Sequence, residues 1–178
     1  MKYGAILCDP PWNFLTHSKK GEGRSASQHY DCMTMADIKA LPVADYAAPD
    51  CTLFMWVTDP FLAKGIALLD LWGFTYKTVA FYWTKRNQDG TPFTGMGYWT
   101  RANPEQCLLA TRGKPKRKAK DVRRWIDAPR REHSRKPDEI HDRIERLVDG
   151  PYLEMFARQR KAGWDALGNE TEKFGSAA

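Results

Sequence analysis

An acid, two prolines and a tryptophan stand in a row at Asp9, Pro10, Pro11 and Trp12, directly after the apolar run Tyr3–Cys8. Proline has no N–H and cannot continue a strand ladder, and each proline holds the residue before it extended. The segment therefore reads as a stiff arm at the end of a buried strand. It carries a carboxylate, carbonyls with no local N–H to bond, and a flat ring. Such an arm suits one chemical task. The exocyclic amine of a nucleobase is a poor nucleophile, because its lone pair is delocalised into the ring. Two acceptors that take both of its N–H bonds draw density onto the nitrogen and favour a pyramidal, attacking geometry. The Asp9 carboxylate and the Pro10 carbonyl are two such acceptors. Trp12 offers a stacking face, worth about 1–3 kcal/mol per base. A base in a duplex must first leave the stack. From the four residues alone a second reading is open, in which the tetrapeptide is a turn and Trp12 is core.

The elements that would position this arm alternate along the chain. Tyr3–Cys8 reads as a buried strand, and residues 13–33 as a long polar loop. Thr34 and Asp37 resemble a capping box ahead of a short helix that Pro42 stops. Residues 51–57 (CTLFMWV) read as a second buried strand. Residues 58–73 form a helix opened by Thr58 or Asp59 and Pro60 and closed by Gly73. Residues 74–85 are a third strand, rich in β-branched and aromatic residues, and residues 86–103 a second long loop. A fourth strand covers 105–111, with a short strand expected around 122–126. The clearest helix is KPDEIHDRIERLV, from Lys136. Pro137 suits its first position, Asp138 and Glu139 face the positive end of its dipole, and Ile140, Ile144, Leu147 and Val148 make one apolar stripe. Pairs Glu139–Arg143 and Asp142–Arg146 fit its wet side. A last strand, YLEMFA, follows. This order predicts an α/β fold with a mostly parallel sheet covered by helices on both faces, and ligands bound beyond the carboxyl ends of the strands. No repeat or linker divides the chain, so residues 1–178 read as a single domain.

Composition narrows the partners. The four cysteines are far apart with no C-x-x-C pair, and the four histidines form no H-E-x-x-H. A disulfide framework or zinc site is not expected, and reduced thiols in a cytoplasm are. No apolar run reaches the roughly 18 residues of a membrane span, and no signal peptide is expected. The formal charge is +6, unevenly placed. Residues 112–136 hold twelve Lys or Arg against three acids, a net of +9, so the remainder is +6 less +9, or −3. Such a block suggests a polyanion partner, most simply nucleic acid, against the alternative of a solvated loop. Lying between the fourth strand and the Lys136 helix, it is expected at the rim of the site, with Lys114, Lys116, Arg117 and Lys118 as phosphate contacts.

Together with QHYDCMTMADI, LFMWVT, GYWTRANPEQCLLATRG, SRKPDEIHDRIERLV and a terminal GNE, the D-P-P-W motif resembles a known family. It is that of the adenine-N6 methyltransferases that include the catalytic subunit of the messenger-RNA adenosine methyltransferase. The likeness runs from Tyr3 to Glu170 and is strongest to small bacterial and phage members. It implies a Rossmann-like, S-adenosylmethionine-dependent fold with the catalytic motif ahead of the cofactor strand. It also implies direct methyl transfer to a flipped or unpaired adenine of DNA. RNA is the alternative substrate, and a non-catalytic nucleic-acid-binding partner subunit the alternative role. Asp9, Pro10, Pro11 and Trp12 then match the catalytic motif. Lys136 matches a lysine near the cofactor's methionine end, Arg158 and Arg160 match positions after the cofactor strand, and Asn169 and Glu170 match a pair that meets ribose and adenine. Cys8 and Phe156, at the ends of two strands, complete the expected cofactor contacts. Tyr30 matches an active-site-loop aromatic and Glu105 an acid of the substrate loop, with Trp99 and Arg101 beside it as expected nucleic-acid contacts. Two departures from the family pattern touch the nucleoside end of the cofactor pocket. Ala157 stands where a glycine is common, and only eight residues precede Asp9. Whether the chain acts as a monomer or homodimer is left open by the sequence.

Overall fold

The computed structural model describes residues 1–12, 33–132 and 135–174, and the backbone of 176–177. Its elements in chain order are β1 (Tyr3–Cys8), α1 (Met35–Lys39), α2 (Val43–Tyr46), β2 (Ala47–Val57), a 3-10 turn (Asp59–Phe61) and α3 (Leu62–Leu71). Then come β3 (Thr75–Arg86), β4 (Glu105–Arg112), β5 (Trp125–Pro129), α4 (Glu139–Leu147), β6 (Tyr152–Met155), β7 (Arg160–Lys161), β8 (Trp164–Leu167) and β9 (Ser176–Ala177). Seven strands form one sheet in the order β5-β3-β4-β2-β1-β6-β8. All adjacent pairs are parallel except those made by β4, which runs against both β2 and β3.

Helices cover both faces, as the unbroken apolar strands require. On β1, Ile6 and Cys8 join one buried cluster with Leu68 and Leu69 of α3. Ala5 and Leu7 point the other way and join Ile140 and Ile144 of α4. The period-2 alternation of a strand and the 3.6 period of a helix fix these partners. Local chemistry sets several boundaries. Thr34 caps α1 in a full capping box with Asp37. The 3-10 turn carries Pro60 and feeds α3. β2 begins at Ala47, four residues before the apolar run, because backbone pairing continues where burial does not. β5 begins at Trp125, so the expected strand lies further along. Asp138 is the N-cap of α4, which places Pro137 ahead of the helix. Glu139 and Arg143 pair at 2.8 Å, but Arg146 turns to Asp121 and Asp142 to Lys161. Of the loop expected at residues 13–33, residues 13–32 lie outside the described residues. No helix among them is long and apolar enough to cross a membrane.

The direction of β4 decides where two charged segments go. Its register sets Gln106 against Val57 and Arg112 against Cys51. Glu105 thus starts at the carboxyl rim of the parallel strands, and Arg112 leaves at the opposite end. There Gly113 turns with φ +65°, and a Cβ on it would meet Asp50 Oδ1 at 2.2 Å, so only glycine fits. The following chain lies along the far end. The Lys118 N–H donates to the Leu147 carbonyl at 2.8 Å, and Arg117 bridges to Val148, both at the C-terminus of α4. β5 then runs parallel to β3, from Tyr82↔Trp125 to Arg86↔Pro129, and returns the chain to the rim. The basic block is therefore split. Its later part, at Arg130, Arg131, Arg135 and Lys136, reaches the rim, while Lys114, Lys116, Arg117 and Lys118 lie at the opposite end from Asp9. The expected rim placement of these four fails because it treats the chain after β4 as emerging on the site side.

Candidate active site

Asp9 follows directly from β1, in the centre of the sheet. Its Oδ2 accepts a hydrogen bond from Lys136 Nζ at 2.8 Å, and no other described residue bonds this carboxylate through its side chain. The same ammonium is 3.8 Å from Glu105 Oε2 and lies over the Trp56 ring at 5.6 Å. Lys85 reaches Glu105 from the other side at 3.5 Å. Lys85, Glu105, Lys136 and Asp9 thus form a line of alternating charge at the carboxyl rim. Burial pushes the Asp9 carboxyl above its ordinary range; the charge and hydrogen bond of Lys136 oppose this without cancelling it. Pairing with a cation is what keeps a largely buried carboxylate ionised.

Asp9 and Lys136 stand at a cleft of about 450 Å³, open mouth included, between the ends of β1 and β6 and the start of α4. Leu7, Trp56, Ile140 and Phe156 give it apolar walls, and Arg135, Glu154, Arg158 and Gln159 give it polar ones. Arg135 hydrogen-bonds Gln159 at 3.0 Å and lies 5.0 Å over the Phe174 ring. Gln159 also donates to Asp138 at 2.7 Å. Asp138 takes a bidentate pair from Arg131, which holds its carboxyl down at about 2. On the other wall His141 Nε2 lies 2.8 Å from Glu154 Oε2, and His141 is 3% exposed. Burial alone would push this imidazole down, but the hydrogen bond and charge of Glu154 leave it raised. Phe156 holds a φ of 63°, a region that costs a bulky residue strain and that follows the strand directly into the cleft wall.

The residues present fit a ligand with a zwitterionic end, hydroxyls and a flat ring. Lys136, Arg135 and Arg158 can hold a carboxylate, Asp9 and Glu154 can accept from an ammonium or a diol, and Phe156 and Phe174 offer aromatic faces. Arg135 Nε and Trp56 Nε1 are buried donors with no hydrogen-bond partner among the described residues. A buried donor normally has a partner, and an acceptor bound in the cleft would supply one.

The structure brings together only part of the expected set. Asp9, Lys136, Phe156 and Arg158 line the cleft. Glu170 is tied to it through Arg158 at 3.5 Å, and Glu105 through Lys136. Cys8 is fully buried on the opposite face of β1 from Leu7, in the cluster with α3. Arg160 pairs with Glu172 on the surface, and Asn169 is exposed; neither lines the cleft. Trp12 is 4% exposed, stacks on Phe61 at 5.2 Å and donates Nε1 to the Trp56 carbonyl at 3.2 Å. Its ring is thus built into the core, with little face left to receive a base. The Pro10 carbonyl accepts the Trp12 N–H at 2.8 Å, so it has a local partner after all, with its second lone pair remaining. Tyr30 lies outside the described residues. Trp99 is 94% exposed with φ 67°, and Arg101 is exposed beside it, both on the rim loop between β3 and β4.

Sequence reasoning missed Arg135, His141, Glu154 and Gln159. Two of them left a signal. Glu154 is the one acid inside the apolar run of β6, and His141 adjoins the apolar stripe of α4, where an unpartnered polar group would be costly. Arg135 and Gln159 have no such mark, because each is placed by the partner it meets.

Residues 3–170 match the MT-A70 family. Over 187 residues the chain is 35% identical to the type II methyltransferase M.MunI of a Mycoplasma species, covering 95% of this chain and 78% of that protein. It is 34% identical over 179 residues to an N(6)-adenosine-methyltransferase MT-A70-like protein of Arabidopsis thaliana. It is 31% identical over 181 residues to the N(6)-adenosine-methyltransferase catalytic subunit of Homo sapiens. These two alignments cover 24% and 28% of the relatives, so the chain spans about a quarter of their length.

Proposed function

The chain belongs to the MT-A70 family of methyltransferases, and from that premise we propose that it methylates the N6 amino group of adenine in DNA, with S-adenosylmethionine as the methyl donor. The observation that carries the reading is the Lys136–Asp9 pair at the mouth of a cleft whose donors and acceptors suit such a cofactor. The likeness that covers most of both chains is to a type II methyltransferase, which weighs for DNA over RNA.

When bound, the cofactor supplies an electrophilic methyl group on a sulfonium. Lys136 holds Asp9 by Oδ2 and keeps it ionised, which leaves Oδ1 to accept one N–H of the adenine amine. The second lone pair of the Pro10 carbonyl accepts the other. With both bonds made, the nitrogen lone pair is released from the ring for attack in line. Asp9 Oδ1 is also the acceptor the arm offers for the proton the nitrogen sheds, and a carboxyl raised by burial takes it more readily. No covalent enzyme intermediate is required. Trp12 acts from beneath, by packing the arm onto Phe61, and Arg135 and Arg158 hold the carboxylate end of the cofactor.

Incubation with labelled cofactor and matched DNA and RNA, followed by nucleoside mass analysis, tests this reading. N6-methyladenine in the DNA is the expected product. Label confined to RNA would move the substrate class, and label in neither, with no cofactor affinity, would leave a non-catalytic partner subunit.

A further inference from the structure

We infer a second nucleic-acid-binding face at the end of the sheet opposite the Asp9 cleft, formed by Lys114, Lys116, Arg117 and Lys120, that takes the phosphates of a duplex DNA segment other than the one presenting the target base. It rests on the reading that the substrate is DNA.

Charge at the two ends of the sheet is arranged differently. At the rim, Lys85 and Lys136 pair with Glu105, Arg86 with Asp127, Arg131 with Asp138, and Arg158 with Glu170. At the far end the four cations named above have no side-chain hydrogen-bond or ion-pair partner among the described residues. The acids nearby are already engaged: Asp50 accepts the Lys114 N–H at 2.7 Å, Asp149 takes Lys118 at 3.1 Å, and Asp121 takes Arg146. Residues 112–121 carry six Lys or Arg against one acid, a net of +5. The segment is also fixed in place, by Gly113 against Asp50 and by Lys118 and Arg117 against the end of α4. Exposed like charges gathered on a fixed backbone repel one another, and an external polyanion relieves that repulsion.

Distance separates this face from the target. β4 alone carries the chain through eight residues from Glu105 to Arg112, about 24 Å end to end at the usual strand rise. That is roughly seven base pairs at about 3.4 Å each. Duplex DNA has a persistence length of about 150 base pairs, so a short duplex at the rim cannot bend around to the far end. The far face therefore takes a second segment. On long DNA it would hold one stretch by counterion release while another is offered to the cleft, with no sequence preference of its own.

The test is stoichiometry with a hairpin-closed duplex of about 6 base pairs, roughly 20 Å and too short to span both ends. Wild type and a K114Q/K116Q/R117Q/K120Q variant are compared by sedimentation at low salt, with methylation of the same duplex followed in parallel. We expect two duplexes per wild-type chain and one per variant chain. The log–log salt slope of total binding should fall by about 0.9 for each phosphate that the variant no longer neutralises, while the short duplex is methylated at the wild-type rate. A single duplex on wild type, two still on the variant, or methylation falling in step with binding would each overturn the second face. A second site filled by duplex RNA and not by DNA would overturn the occupant. Two duplexes bound without any adenine methylation would leave the face standing and remove the function it was read with. No duplex bound at all would remove both.

Discussion

The ammonium of Lys136 lies 2.8 Å from a carboxylate oxygen of Asp9, although the two residues are 127 positions apart in the chain. One stands where β1 ends and the other just before α4, so the pair forms only when the sheet and the helix dock. It sets the protonation, the orientation and the free oxygen of the acid that the proposed chemistry needs.

Asp9→Asn keeps the shape of the arm and removes the charged acceptor. We expect turnover to fall by at least about 100-fold, corresponding to about 3 kcal/mol in the barrier, with a much smaller change in cofactor affinity. Single-turnover methylation and calorimetry separate the two. A wild-type rate in this variant would falsify the assigned role.

The same substitution should stabilise the fold. A carboxyl whose folded pKa is raised contributes stability that is full below its unfolded value and is lost as pH rises through the folded value. At neutral pH the ionised Asp9 is therefore a net cost. Asp9→Asn should melt above wild type at neutral pH, with the gap closing below about pH 4. Melting at or below the wild-type temperature throughout would mean that Lys136 fully compensates the burial.

Lys136→Met removes the cation that holds Asp9 down. The carboxyl should then rise further, and the acidic limb of the pH–rate profile should move to higher pH. Cofactor affinity should drop more than in Asp9→Asn, because Lys136 also lines the cleft. An unmoved acidic limb would show that Asp9 does not control it.

His141 carries a raised pKa against the pull of burial, because Glu154 is 2.8 Å away. Its charged form contributes stability that is full below the unfolded value of about 6.5 and is lost as pH rises through the folded value. His141→Gln should therefore cost more at pH 6 than at pH 9, read as melting temperatures across that range. An equal cost at both ends would mean that only the packing of the ring matters.

Trp12→Ala should cost about 3–5 kcal/mol of stability, the range for removing a buried aromatic, since the ring is 4% exposed and stacked on Phe61. Denaturant unfolding measures it. Unchanged stability, with only substrate affinity reduced, would return Trp12 to the role of a base-stacking platform.

Local features were legible in the sequence because local rules produce them. The apolar run at Tyr3–Cys8 gave β1, the Thr34–Asp37 pair gave a capped helix, and the spacing of Ile140 and Ile144 gave the inner face of α4. The stiffness of the Asp9–Trp12 arm follows from its prolines, and Lys136 from its match to a motif. Tertiary structure decided the rest. Trp12 turned into the core because Phe61 and the Trp56 carbonyl were there to receive it. Arg135, His141, Glu154 and Gln159 became one cleft because α4 and the end of β6 meet. The basic block was divided between two ends of the molecule because β4 pairs antiparallel with both neighbours. Strand direction and register are settled by which distant edges pair and which faces are buried together, and neither quantity is present in a window of neighbouring residues.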